Sequence, residues 1–600
     1  KCNKVKIIPT PGYIKQTKGN VKTFSRSDCI KVFVTGKRSE KTEFGISFLH
    51  RQTGFNITVA KEGVPGEKDI LIYSGLPLSD DGMLEIEDRD FFTEENAAEQ
   101  GYILKSRLGQ PVFLTAQSDM GCLYGLSTLI QLLKENDEFC DFTIRDRPDF
   151  KYRANKWILW CETGVLSYDR GDGARKYKER FIKKLDMALL YKINVIYCDG
   201  FGWDADRTPD YAQLNRELCN EARKRGIHLV YGGYTMSYGM SVNYKYSGKV
   251  FLNRRSYPDG EIYPCCGQHE VLPSKGRTSG TCLSNKELMR LKMEELTEFV
   301  EKVHPGALYL HNTDATNVTQ GAWSERCDEC RKRWPNDDLN AEDGAAGAYA
   351  EFFDEISSCI KNVKSKNYDA AKDCLIIFVS PGYMVNDQTD DETFEVGLEF
   401  WKNVDRFMKK GENTFIGHRE LFYNRMDNKL RCKQIGNTRK NTETCIIYFS
   451  GSDGYYSDKL FQITSIFNYM FKGTEFILCA NGNGYQEPLQ LLNAEYMWNS
   501  TNSAYFNLDQ ERPKNNLEFL DIYNKCIKTE FRPNEIYGNE GLLEDACVKL
   551  YGKKAGLKMA ELYRLKGKNF EPPIMYAANK ELGTEMQKLV FEMRCPMRVI

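Results

Sequence analysis

Between residues 156 and 482 the chain alternates eight continuous apolar, β-branched runs with amphipathic stretches of helical period, and no other feature restricts its fold as much. The runs are KWILWC (156–161), NVIYC (194–198), IHLVYGG (227–233), ALYLHN (307–312), CLIIFVS (374–380), NTFIGH (413–418), CIIYFSG (445–451) and EFILCANG (475–482). A strand buried on one face reads as strict alternation, whereas a strand covered on both faces reads as an unbroken apolar run. Unbroken runs separated by helices such as KERFIKKLDMALLYK and YAQLNRELCNEARKRG therefore indicate a parallel sheet flanked by helices. Eight such units predict an α/β fold of the (β/α)8 TIM barrel type, with a doubly wound open sheet as the alternative. The sixth unit is the weakest, because RELFYNRMDNKLRCKQIGNTRKN is a poor helix.

The flanks differ from this middle. Residues 1–150 carry the short apolar runs KVFVTG, DILIYSG and PVFLTAQ and then the helix GLSTLIQLLKEN, which together predict a small N-terminal α/β domain. TIRDRPDFKYR, with its charges and proline, marks a seam. The barrel is expected over 151–500 and an α-helical domain over 501–600, from LLEDACVKLYG, KKAGLKMAELYRLKG and two further amphipathic stretches.

Composition narrows the function classes. A formal net charge of -1, with Lys and Arg scattered along the chain, supplies no clustered positive field for nucleic acid. No apolar run reaches the ~18 residues of a membrane span. Twenty cysteines and the sequons at Asn56, Asn317 and Asn499 point to a secreted or extracellular glycoprotein with a few disulfides, periplasmic or lysosomal locations being the alternatives. Cys198, Cys374, Cys445 and Cys479 fall inside predicted strands, where a free thiol serves as a small hydrophobe. Cys327 and Cys330 have C-x-x-C spacing and, with Cys265, Cys266 and His269, would suffice for zinc. In a secreted chain a disulfide is the preferred expectation for them, and no metal or cofactor is assigned.

In a (β/α)8 barrel the working residues stand on the loops that follow the strand C-termini. Those loops bring Asp199 and Trp203 after the second strand, His311 and Asp314 after the fourth, and Tyr383 after the fifth. His418, Arg419 and Glu420 follow the sixth, Tyr455 the seventh, and Glu495 and Trp498 the eighth. Aromatic faces stack on pyranose C–H surfaces, while carboxylates bind hydroxyls and perform acid/base work, so the set fits a sugar site.

Two separated motifs, GYILKS…PVFLTAQSDMGCLYGLSTLIQLLKE and FTIRDRPDFKYRANKWIL, resemble the junction in family 20 glycoside hydrolases, the β-N-acetylhexosaminidases. There a small α/β domain ends in a G-x-x-x-G-x-x-T-L-x-Q-L helix and leads through I-x-D-x-P-x-F-x-Y-R-G into a (β/α)8 barrel. FIKKLDMALLYKINVIYCDGFGW and EARKRGIHLV are similar to the same family's next segments. The resemblance implies that Arg153 holds sugar hydroxyls and that Trp203 lines the site. It also implies substrate-assisted chemistry, in which the 2-acetamido oxygen attacks the anomeric carbon, an Asp orients it and an adjacent Glu protonates the leaving oxygen.

At the fourth strand the family has H-x-G-G-D-E, whereas this chain has His311, Asn312, Thr313, Asp314, Ala315. Asp314 fits the acetamide-orienting place, but alanine has no proton to give. Three expectations follow. The chain is a diverged glycosidase of β-linked N-acetylhexosamine glycans, with Glu420 the preferred acid and Asp199, Asp453 and Glu495 behind it; or an inactive, sugar-binding or structural relative; or a scaffold for another chemistry. The substrate or partner expected is a glycan or glycoconjugate. Neither nucleic acid nor a membrane span is expected.

Overall fold

The computed structural model of the protein describes residues 6–36, 38–75, 84–135, 138–155, 172–198, 211–233, 283–284, 286–310, 323–324, 328–379, 391–420, 434–448, 476–479, 487–499 and 542–568. Seven strands form the N-terminal sheet: β1 (Tyr13–Thr23), β2 (Cys29–Gly36), β3 (Asn56–Val59), β4 (Ile70–Ser74), β5 (Tyr102–Ser106), β6 (Val112–Ala116) and β7 (Glu138–Asp146), in the order β1-β7-β5-β6-β4-β2-β3. The β3-β2-β4-β6 half is parallel, and β5, β7 and β1 continue it antiparallel. The helices Glu40–Thr53 and Asp119–Glu135 pack on each other and on this sheet.

The first of these helices has clear local causes. Ser39 caps it by accepting from the Thr42 N–H at 3.2 Å, Glu40 and Glu43 favour the positive end of its dipole, and Gly54 ends it at φ +72°. In the second, Gly121 and Gly125 let the helix lie directly on the strands. A Cβ at Gly121 would stand 2.2 Å from the Gly101 carbonyl oxygen, and one at Gly125 2.2 Å from Leu114 Cδ1. The G-x-x-x-G spacing is thus a packing device. It seats Leu123, Leu126, Leu129 and Ile130, all inaccessible to solvent, each stabilising by about 1.5–3 kcal/mol.

Eight parallel strands follow and close on themselves: Tyr152–Asn155, Val195–Tyr197, His228–Gly233, Ala307–Leu310, Leu375–Val379, Thr414–Glu420, Glu443–Tyr448 and Phe476–Cys479. Each pairs with its sequence neighbour, and the eighth returns to the first through Phe476 and Tyr152. The helices Asp172–Leu190, Tyr211–Lys224, Lys286–Val303, Ala345–Lys361, Asp391–Phe407 and Glu487–Trp498 surround the ring among the described residues. The ring is filled by Tyr152, Ala154, Val195, Tyr197, Val230, Ala307, Tyr309, Leu375, Ile377, Val379, Phe415, Cys445 and Ile447. It is a packed core and not a channel.

Seven of the predicted strands coincide with observed ones to within a few residues. The first does not: KWILWC lies outside the described residues, and the strand forms just before it, at Tyr152–Asn155. Beyond the barrel, Leu542–Tyr551 and Lys553–Lys568 pack as a helix pair, the former also against Glu487–Trp498. No described helix is long and apolar enough to cross a membrane.

Candidate functional site

Three of the predicted site residues do come together, but not on the rim. Arg153, Glu495 and Trp498 are each 0% exposed, in the layer between the N-terminal sheet and the N-terminal end of the barrel. Tyr152 and Ala154 take the inward positions of the first barrel strand, so Arg153 points outward. Its Nε donates to the Lys192 carbonyl at 2.9 Å, Nη1 to Gln100 at 2.8 Å and to the Phe150 carbonyl at 2.6 Å, and Nη2 to the Tyr124 hydroxyl at 3.0 Å. Every guanidinium nitrogen is engaged by protein, which leaves none for a sugar hydroxyl. Burial lowers the Arg153 pKa, with the Tyr124 hydroxyl opposing it.

The centre of this layer is Asp146, at the end of β7. Its Oδ1 accepts from Trp498 Nε1 at 2.8 Å and the Gly12 N–H at 3.0 Å. Its Oδ2 accepts from Lys192 Nζ at 2.7 Å and the Tyr102 hydroxyl at 2.6 Å. Both cations also face the indole: Lys192 Nζ is 4.4 Å and the Arg153 guanidinium 4.9 Å from the Trp498 ring. Glu495 completes the charge balance and accepts from the Thr10 N–H at 2.7 Å. Burial drives the Lys192 pKa down, and the neighbouring Asp146 carboxylate works against it. A sealed, mutually satisfied cluster of two cations and two anions binds nothing from solvent. Its position at the N-terminal end of a parallel barrel is one that serves stability. Arg153, Glu495 and Trp498 are therefore corrected from sugar ligands to parts of the clamp between sheet and barrel.

The opposite end of the barrel is the candidate active site. Its floor is the edge-to-face pair Tyr197 and Tyr309, ring centroids 5.2 Å apart, beside Val379 and Ile447. Gly232, at φ +149°, makes room on the third strand, because a Cβ there would lie 1.9 Å from the Tyr309 carbonyl oxygen. Glu420 is the last residue of the sixth strand, paired with Tyr448 at the mouth, and its side chain lies outside the described residues. His311 and Asp314, with Asp199, Trp203, Tyr383 and Tyr455, belong to segments outside the described residues. Sequence reasoning missed Tyr197 and Tyr309, which sit inside strands and carry no loop signal.

Other expectations change on contact with the structure. His418 is buried on the outer side of the sixth strand beneath Trp401, with ring centroids 6.2 Å apart, and Arg439 Nη2 donates to its Nε2. Burial and then the Arg439 charge push its pKa well below the usual histidine value, so it stands there as neutral imidazole. Cys330 is buried, and Ser284 Oγ donates to its sulfur at 2.7 Å, while Cys327 lies outside the described residues. Cys374 and Cys445 are free buried thiols, while Cys140 is disulfide-bonded. Asn499 is buried, and its Nδ2 donates to the Thr10 carbonyl at 3.3 Å. Among the described residues no group of three or more His, Cys, Asp or Glu could hold a metal.

Fold and mouth together define a parallel β/α-barrel protein with an α/β unit clamped across the N-terminal end of the barrel. Residues 4–147 match the family model Glycosyl hydrolase family 20, domain 2. Among solved structures, the family 20 exo-β-N-acetylglucosaminidase of Vibrio harveyi in complex with N-acetylglucosamine shares the fold, with TM-score 0.50 and 13% identity over 87% of this chain and 78% of that one. The β-N-acetylhexosaminidase of Bacteroides fragilis NCTC 9343 gives TM-score 0.48 and 15% identity over 89% and 99%. The chitobiase of Flavobacterium johnsoniae gives 0.47 and 14% over 92% and 76%. No curated protein matches the sequence. Residues 4–147 thus carry a family 20 glycoside hydrolase domain 2.

Proposed function

We propose that the protein is a diverged glycoside hydrolase acting on β-linked N-acetylhexosamine-containing glycans at the C-terminal mouth of its barrel. The observation that carries this reading is the pairing of a family 20 domain 2 with a closed ring of eight parallel strands directly behind it. In this account the whole chain is a (β/α)8 barrel over 151–500, between an α/β domain at 1–150 and a helical domain at 501–600, and it works outside the cytoplasm. Asp314 orients the substrate's acetamido group. Glu420, which ends the sixth strand two places round the ring from the fourth, protonates the leaving oxygen in place of the acid that Ala315 lacks. Trp203, Tyr383, Tyr455, His311 and Asp199 line the sugar. Tyr197 and Tyr309 close the floor of the mouth beneath the substrate.

Ala315 also favours a second reading, a barrel that binds the glycan without cleaving it. Turnover of aryl β-N-acetylglucosaminide and β-N-acetylgalactosaminide by the purified chain, with Asp314→Asn and Glu420→Gln beside it, separates the two. Turnover lost in either variant supports the glycosidase. Absence of turnover together with retained binding of N-acetylhexosamine oligomers supports the second reading.

A further inference from the structure

A groove of about 450 Å³ opens beside the clamp; Tyr13 of β1, Arg145, Arg147, Asp149 and Trp498 are among its lining residues, and Glu87 and Asp90 add carboxylates beside Glu94. It lies at the end of the barrel away from the mouth, since Trp498 reaches Asp146 there. Its cations are neutralised in place: Arg145 by Asp88 at 2.7 Å, and Arg147 by Glu94 at 2.7 Å and Asp149 at 3.4 Å. A phosphate or carboxylate ligand would have to displace one of these carboxylates, so the groove does not select an anion. Its apolar lining is confined to a few aromatic rings, too little for a lipid or a drug-like hydrophobe.

A neutral polyhydroxylated ligand suits what remains. Tyr13 is 41% exposed, with the Arg145 guanidinium 4.8 Å from its ring centroid holding it in place, and it offers a stacking surface for pyranose C–H groups. The Arg147–Glu94 pair is part-exposed, and its planar N–H and carboxylate groups keep capacity for vicinal hydroxyls. The volume is within the range of small-ligand sites, which often occur where domains meet.

We infer that this groove is an accessory saccharide-binding site, separate from the reaction centre, that holds a short neutral glycan against the N-terminal sheet. The inference rests on the reading of the protein as one that handles glycans. Hydrogen-exchange mass spectrometry of the full chain, with and without N,N′-diacetylchitobiose, tests it alongside Tyr13→Ala and Arg147→Ala. Slowed exchange is expected in peptides spanning the start of β1 and residues 143–149. The saccharide concentration giving half protection should rise about tenfold or more in both variants, with aryl hexosaminide turnover unchanged. Unaltered exchange in those peptides at saturating disaccharide, or an unshifted midpoint in both variants, overturns the assignment. Turnover without protection in the groove sinks the accessory site alone, and protection without turnover sinks the catalytic reading alone.

Discussion

Asp146 and Lys192 form a wholly buried ion pair whose loss should be felt through the entire clamp. Lys192→Met deletes the cation but leaves Asp146 with three neutral donors, the Tyr102 hydroxyl, the Gly12 N–H and Trp498 Nε1. Removing one partner of a buried pair costs about 3–5 kcal/mol, and the surviving donors place this variant near the lower figure. Asp146→Leu is worse, because it leaves the ammonium only the Tyr102 hydroxyl and orphans the Gly12 N–H and Trp498 Nε1, each at about 1–3 kcal/mol, while the Tyr102 hydroxyl keeps Thr128 Oγ1. Restoring charge balance in the double variant should recover part of the loss and no more, since the orphaned donors persist. A chain of this length does not unfold in one step, so the quantity to follow is the first urea transition, read by far-UV circular dichroism. With a slope of about 3 kcal/mol per molar urea, Lys192→Met should lower that midpoint by roughly 1 M and Asp146→Leu by more. A Lys192→Met midpoint within about 0.3 M of the parent would refute the clamp as the link between sheet and barrel.

Other consequences follow from single positions. Gly232→Ala should destabilise the barrel by more than about 2 kcal/mol, seen as lost soluble yield or a lower Tm, because no L side chain fits at φ +149° against the Tyr309 carbonyl. His304, stacked on Tyr368 at 4.4 Å, is held down to about 4 by burial and then by the Arg216 and Arg223 charges. The unfolded chain therefore binds the extra proton first. The stability from neutral His304 is fully present above 6.5 and declines as pH falls from 6.5 towards 4, so His304→Asn should flatten the fall in Tm across that window. In a glycosylating host, peptide mapping should find glycan at the exposed Asn56 on edge strand β3 and none at the buried Asn499. Occupancy at Asn499 would contradict its place beneath Thr10.

The strands were legible because a strand covered on both faces has to be apolar throughout, and ALYL and LIIFV announce themselves on that ground alone. The clamp was hidden for the opposite reason. Asp146, Lys192 and Trp498 are separated by up to 352 residues, and nothing local distinguishes a buried aspartate from a loop one. Glu495 and Trp498 looked like rim residues because they follow the eighth strand. They occupy the far end of the helix Glu487–Trp498, which carries them back to the other side of the barrel. Arg153 failed by parity: one residue along a strand exchanges the barrel interior for its exterior.

The most direct test of the division between a reacting mouth and a structural clamp is to measure kcat and Tm together for Asp314→Asn and Trp498→Phe on an aryl β-N-acetylhexosaminide. The account predicts that Asp314→Asn loses about 100-fold or more in kcat with Tm unchanged, while Trp498→Phe lowers Tm and leaves kcat near the parent value at temperatures where it is folded. A fully folded Trp498→Phe that has lost its kcat, beside an Asp314→Asn that has kept its own, would place the chemistry at the clamp and contradict the account.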